Sequence, residues 1–263
     1  MEPTLPEHRL VEAEGNQSSF QVVFANWQDR DAARELLEEL VKLGKPIVLL
    51  NFSGRPTILT WEQEHLPAIM NVWFAGSEAG DAISDVLFGE KSPSGKLTMT
   101  FPQAMGQLPI YYNHLNTGRP VPEGADHYYK YNSNYLDVRN DPLYPFGYGL
   151  SYTTFDYSDV TLRGQTASVT VKNTGNCDAD EIVQLYIRDL AASISRPVKE
   201  LKGFRRIHLK AGEAQTVSFE ITRDLLSFYD IHGRLVFEPG DFEVMIGPNS
   251  RDVKKARLTM PAP

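Results

Sequence analysis

The chain has 263 residues, 26 Lys and Arg against 34 Asp and Glu, a formal net charge of -8 and 41% hydrophobic residues. That is an ordinary globular composition, long enough to bury one large core or two modest ones. The acidic balance argues against nucleic acid as a main partner. No apolar run reaches about 18 residues, which excludes a transmembrane helix and a membrane partner of that kind. The single Cys177 excludes an intrachain disulfide framework or a cysteine-rich zinc site. The opening Met1-Glu2-Pro3-Thr4-Leu5-Pro6-Glu7 is acidic and lacks an apolar core segment, so it does not read as a secretory signal.

In chain order, residues 30–42 place Ala33, Leu36, Leu37, Leu40 and Val41 on one helical stripe, with Gly44 as the stop. Ile47-Val48-Leu49-Leu50 follows as an unbroken apolar run, the pattern of a strand covered on both faces, as in a parallel sheet. Residues 57–60 and 68–74 read as two further strands. Ala79, Ile83, Val86 and Leu87 then mark a second amphipathic helix, closed by Gly89. Helix, strand, strand and helix over short connections predict an α/β layer.

Residues 103–149 show neither period. Eight of the chain's 12 tyrosines lie there, among many Asn, Pro and Gly, an aromatic load that argues for an ordered, functional segment. From about Tyr152 the rhythm changes to short alternating segments at 167–172, 182–188, 199–209, 215–221, 234–237, 242–246 and 256–260. Asn173-Thr174-Gly175-Asn176, Lys210-Ala211-Gly212-Glu213 and Glu238-Pro239-Gly240-Asp241 punctuate them as turns. About seven short strands predict an antiparallel β-sandwich of the immunoglobulin or fibronectin type III kind, and the absence of a cysteine pair favours the latter. The expected division is 1–102, a partial α/β sandwich; 103–150, the tyrosine-rich connection; and 151–263, the β-sandwich.

Several stretches carry more than patterning. They include Ser53-Gly54-Arg55-Pro56, Trp73-Phe74-Ala75-Gly76-Ser77-Glu78-Ala79-Gly80, Pro93-Ser94-Gly95-Lys96-Leu97, and Gly106-Gln107-Leu108-Pro109-Ile110-Tyr111-Tyr112-Asn113-His114. Asn116-Thr117-Gly118-Arg119-Pro120, Leu143-Tyr144-Pro145-Phe146-Gly147-Tyr148-Gly149-Leu150-Ser151-Tyr152 and Arg196-Pro197-Val198-Lys199-Glu200-Leu201-Lys202-Gly203-Phe204 complete the set. In this order and spacing they resemble the C-terminal part of family 3 glycoside hydrolases, in particular bacterial periplasmic-type β-glucosidases.

The resemblance implies a parent enzyme that hydrolyses O-glycosyl bonds with retention, acts on a β-glucoside or oligosaccharide, uses no cofactor or metal, and is periplasmic or secreted. It also implies an N-terminal (β/α)8 barrel holding the nucleophilic Asp, in cis or on another chain, because none of that barrel is found here. Retaining glycosidases need two carboxylates about 5 Å apart, so this chain alone is expected to turn over little or nothing. The family's acid/base Glu stands upstream of a Ser-Arg. Here the corresponding region is 11–20, and Glu14 is the match if two residues are inserted before Arg30; without the insertion a Ser occupies that position. The Ser-Arg itself is absent, since Phe20 follows Ser19, which leaves open the reading of Glu14 as a solvated residue of a disordered N-terminal arm.

Asn113, His114, Arg119, Tyr128 and Tyr131 are the substrate-rim candidates, Arg119 having a structural alternative in tying the loop together. The tyrosines offer rings to apolar sugar faces, and equally could pack the loop onto the two domains. Trp73 reads as core, while its place at a strand end leaves a ligand role open. Two other functions stand beside the main one: a non-catalytic carbohydrate-binding or interaction module, and a β-xylosidase, arabinosidase or N-acetylglucosaminidase of the same family.

Overall fold

The computed structural model describes residues 10–15, 18–26, 30–122 and 129–262. The chain divides into two compact units, Met1–Ile83 with Pro102–Met105 and Ser84–Phe101 with Gly106–Pro263.

The first unit begins with an antiparallel pair, β1 (Leu10–Gly15) and β2 (Ser18–Asn26). Helix α1 (Arg30–Val41) crosses to β3 (Ile47–Phe52), and α2 (Thr60–His65) leads to β4 (Ala68–Asn71). The sheet order is β1-β2-β3-β4, with β2, β3 and β4 mutually parallel. Period explains both α1 and β3. Ala33, Leu37 and Leu40 recur on one face of α1 and are buried, and Ile47, Leu49 and Leu50 of β3 are buried as well. Each such Leu contributes roughly 2 kcal/mol. Helix α1 stops where Gly44 takes φ +68, which lets the Leu43 and Gly44 N–H groups reach the Leu40 and Val41 carbonyls.

Two sequence expectations need correcting in this unit. Residues 57–59 form no strand, and Thr60 opens α2 instead, because Trp61-Glu62-Gln63-Glu64 favours helix once Leu59 is anchored in the core at 1% exposure. The third strand ends at Asn71, not 74, because Trp73 adopts φ +56, a left-handed conformation no strand accommodates. Residues 11–15 and 18–20, where the family resemblance places Glu14, lie on β1 and β2, and the run Phe20-Gln21-Val22-Val23-Phe24 supplies strand propensity to β2.

Helix α3 (Ala79–Leu87) spans the sequence boundary between the units, and none of its residues is buried. In the second unit, residues 97–101 run beside 143–148. Leu97 N donates to Tyr148 O and Gly147 N to Leu97 O, each at 2.7 Å, and Phe101 N donates to Tyr144 O at 2.9 Å. Phe101 is fully buried there.

The sandwich follows. Its strands are β5 (Phe155–Tyr157), β6 (Thr161–Arg163), β7 (Thr166–Asn173), β8 (Ala179–Asp189), β9 (Glu200–Leu209) and β10 (Ala214–Glu220). After helix α4 (Arg223–Leu226) come β11 (Phe228–Tyr229), β12 (Leu235–Val236), β13 (Gly240–Gly247) and β14 (Lys254–Met260). One sheet runs β10-β7-β5 with β6 also on β7, the other β14-β13-β8-β9, and every pairing is antiparallel. Alternate residues of both sheets, among them Val169, Val171, Val183, Leu185, Val217, Phe219, Phe242 and Val244, meet in one core. Strands β5, β6 and β11, only two or three residues long, show no alternation in the sequence. No helix among the described residues is long and apolar enough to cross a membrane.

Candidate functional site

The tyrosine-rich segment is ordered by polar side chains spaced along it. Gln107, 1% exposed, donates from Nε2 to the Arg139 and Asp141 carbonyls at 2.8 and 3.3 Å. Asn132 Nδ2 donates to Pro120 O, and Asn140 Nδ2 to Ser133 O, both at 2.8 Å. Asn134 Oδ1 accepts from Tyr129 N at 2.7 Å, and Asn140 Oδ1 from Tyr135 N at 3.1 Å. These amides do the work of a missing sheet or helix ladder, satisfying backbone groups one at a time. Tyr112 fixes the segment's start by stacking on Phe146 at 4.2 Å and meeting Tyr186 edge-on at 5.9 Å.

The sequence candidates fall as follows. Asn113, His114 and Arg119 are all exposed. The His114 carbonyl accepts from Val198 N at 2.9 Å, and Leu115 bridges Pro197, so this stretch is bound to the chain entering β9. His114 Nδ1 carries a proton and donates to Leu115 O at 2.9 Å. The Arg119 carbonyl accepts from Ser133 N at 2.9 Å, which brings its backbone beside the turn holding Tyr131. Tyr131 has φ +71 and is 70% exposed, with Lys130 Nζ 4.9 Å from its ring centroid. Tyr128 lies outside the described residues. Glu14 sits on β1 opposite Ser19, one pair before the last register pair, Gly15 with Ser18.

Sequence reasoning missed the buried charges. Glu181 of β8, 3% exposed, meets Lys96 Nζ at 3.1 Å and accepts from the Tyr157 hydroxyl at 3.0 Å, while Lys96 also donates to Gly149 O at 3.0 Å. Burial pushes the Glu181 carboxyl above its ordinary range against the pull of Lys96 and Tyr157. Burial first, then the Glu181 charge, pushes the Tyr157 hydroxyl far up, so it keeps its proton and donates. In the first unit the fully buried Glu62 lies 3.7 Å from Arg34 Nη1. Each of these two buried carboxylates is matched to a cation. No group of three or more His, Cys, Asp and Glu side chains among the described residues is placed to hold a metal ion.

Residues 8–152 match the glycosyl hydrolase family 3 C-terminal domain, and residues 181–250 match a fibronectin type III-like domain. The class is therefore that of a glycosidase's C-terminal region, an α/β unit followed by a fibronectin type III-like sandwich. The chain belongs to glycosyl hydrolase family 3. The periplasmic beta-glucosidase of Salmonella typhimurium is 51% identical over 236 residues, covering 86% of this chain and 30% of that protein. A beta-xylosidase of Formosa agariphila is 41% identical over 237 residues, covering 86% of this chain and 32% of that protein. The crystal structure of a beta-glucosidase from Listeria innocua in complex with glucose matches with a TM-score of 0.81 at 42% identity, over 88% of this chain and 33% of that one. The chain thus spans about a third of the length of these relatives and corresponds to their C-terminal part.

Proposed function

We propose that this chain is the C-terminal portion of a β-glucosidase-type enzyme that hydrolyses β-glucosides or oligosaccharides with retention, in the periplasm or outside the cell. Its role is to supply one wall of the substrate cleft and to brace the assembly. The nucleophile comes from a barrel, in cis or on a partner chain. The observation that carries this reading is the pair of amide-pinned stretches 113–122 and 129–135, which leave most of their side chains exposed. They hold Arg119 and a left-handed, 70% exposed Tyr131 on a backbone over-determined by Asn132, Asn134 and Asn140. An exposed ring in a strained backbone adds nothing to a core, and it suits a sugar face at a cleft rim. Asn113 and His114 are rim candidates beside them, and Glu14 is the acid/base candidate.

The test uses 4-nitrophenyl β-glucoside. The chain alone gives no turnover, and the chain joined to a family barrel does. In the joined enzyme, Tyr131→Ala and Arg119→Ala raise KM more than they lower kcat, and Glu14→Gln flattens the alkaline limb of the kcat/KM profile, where the general acid must hold its proton. Robust hydrolysis by the chain alone overturns the reading. A second substrate, a β-xyloside, is favoured by the 41% identity to a beta-xylosidase, and 4-nitrophenyl β-xyloside run in parallel decides between the two.

A further inference from the structure

Two motifs of the α/β unit have no part in the rim described above: Ser53-Gly54-Arg55-Pro56 after β3, and Trp73-Phe74-Ala75-Gly76 after β4. Both leave the carboxyl ends of adjacent parallel strands, the edge where open α/β sheets gather ligands. Register sets Asn51 opposite Asn71. Asn51, fully buried, donates from Nδ2 to Asn71 Oδ1 at 2.7 Å and lies 3.2 Å from Thr57 Oγ1. That bond fixes the Asn71 amide and leaves its Nδ2, itself buried, with no acceptor among the described residues.

Two residues on, Trp73 holds φ +56, where a bulky L side chain crowds its own backbone. Phe74 is 86% exposed, and the edge of its ring occupies the space above Gly54. A methyl group at Gly54 would lie 2.5 Å from Cε2 and 2.8 Å from Cζ of that ring. A strained backbone, an unspent donor and an exposed ring fall within the four residues 71–74, and none of the three strengthens the core. Such features persist where a ligand offsets them.

We propose that the Gly54–Trp73–Phe74 edge binds one pyranose ring of an oligosaccharide. The sugar lays its apolar C–H face on Phe74, and a water drawn in beneath it accepts from the buried Asn71 Nδ2 and donates to one hydroxyl oxygen. Gly54 is required because any larger residue displaces the ring. Trp73 holds the turn that presents Phe74. The choice of a sugar over another ligand with an apolar face rests on the family reading above.

The experiment is a cellobiose titration of the isolated chain followed by NMR. The expected result is a perturbation centred on the Gly54 amide and the Phe74 ring, with millimolar affinity. Phe74→Ala weakens it about tenfold, the size of one aromatic stacking contact. Gly54→Val has the same effect through ring displacement, with circular dichroism unchanged. Trp73→Gly weakens cellobiose binding as the turn loosens, since glycine takes φ +56 freely but holds no single conformation. Should Gly54→Val unfold, Phe74→Ala at its exposed site still decides. No perturbation at Gly54 and Phe74, or one that Phe74→Ala leaves intact, overturns the proposal. Perturbation confined to residues 113–135 overturns it while leaving the family reading standing, and the 4-nitrophenyl β-glucoside assay tests that reading by itself.

Discussion

The sandwich gathers seventeen buried hydrophobic residues into one core, fifteen from its two facing sheets together with Ile221 and Leu226, whereas the α/β sheet ends in open strand edges among the described residues. Strands β1 and β4 end the α/β sheet with no further strand among the described residues, and α3, amphipathic by sequence, buries none of its side chains. Open strand edges and apolar helix faces attract partners. The difference teaches that burial is spread unevenly along this chain. The sandwich closes a core between its own two sheets, and the α/β sheet keeps open edges among the described residues.

Several experiments sharpen or break that contrast. The largest effect is expected from Lys96→Met. Stripping the cation from the buried Glu181 costs about 3–5 kcal/mol in urea unfolding of the second unit, and adding Glu181→Leu recovers most of the loss. No recovery in the double variant would show that Lys96 acts through packing alone. In the α/β unit, Leu37→Ala empties a fully buried site on α1 and costs about 3 kcal/mol. Calorimetry should show this loss in a different transition from that of Lys96→Met, and one shared transition would erase the contrast.

Thr222→Ala removes the side-chain cap that accepts from Leu225 N at 3.2 Å and costs about 1 kcal/mol, read as a shift in the denaturant midpoint. The smallest effect is a slope. The Glu181 carboxyl is held above its ordinary value of 4.5, so its contribution is fully present below that value and is lost as pH rises through the folded one. Stability therefore falls across that window in the native chain, and Glu181→Gln flattens the curve.

Legibility followed the range of the forces involved. Helix α1 and strand β3 were readable because their apolar spacing is local, and the seven longer sandwich segments because alternation needs only a few residues. Strand β4 ran past its true end in the sequence reading, since nothing in Val72-Trp73-Phe74 announces a left-handed Trp73. The ordering of the tyrosine-rich segment rests on single amide contacts, such as Gln107 with the Arg139 carbonyl, which leave no periodic trace. The Lys96–Glu181 pair joins positions 85 residues apart, and a sequence read without a fold offers no reason to connect them. The rim candidates came from the family resemblance, since exposed residues in an irregular segment have no pattern of their own.

The placement of Lys96 has a practical consequence for anyone wishing to graft this sandwich elsewhere. The segment carrying it lies so close that a β-carbon on Gly149 would strike the Gly95 carbonyl at 2.3 Å, and Gly147 is bound in turn by Gln184 of β8. A transplant begun at residue 151 would strand an acid in the interior of its new host. The portable module starts some sixty residues earlier than its strands do, near Ser92, whose hydroxyl already holds the Tyr152 amide at 3.0 Å.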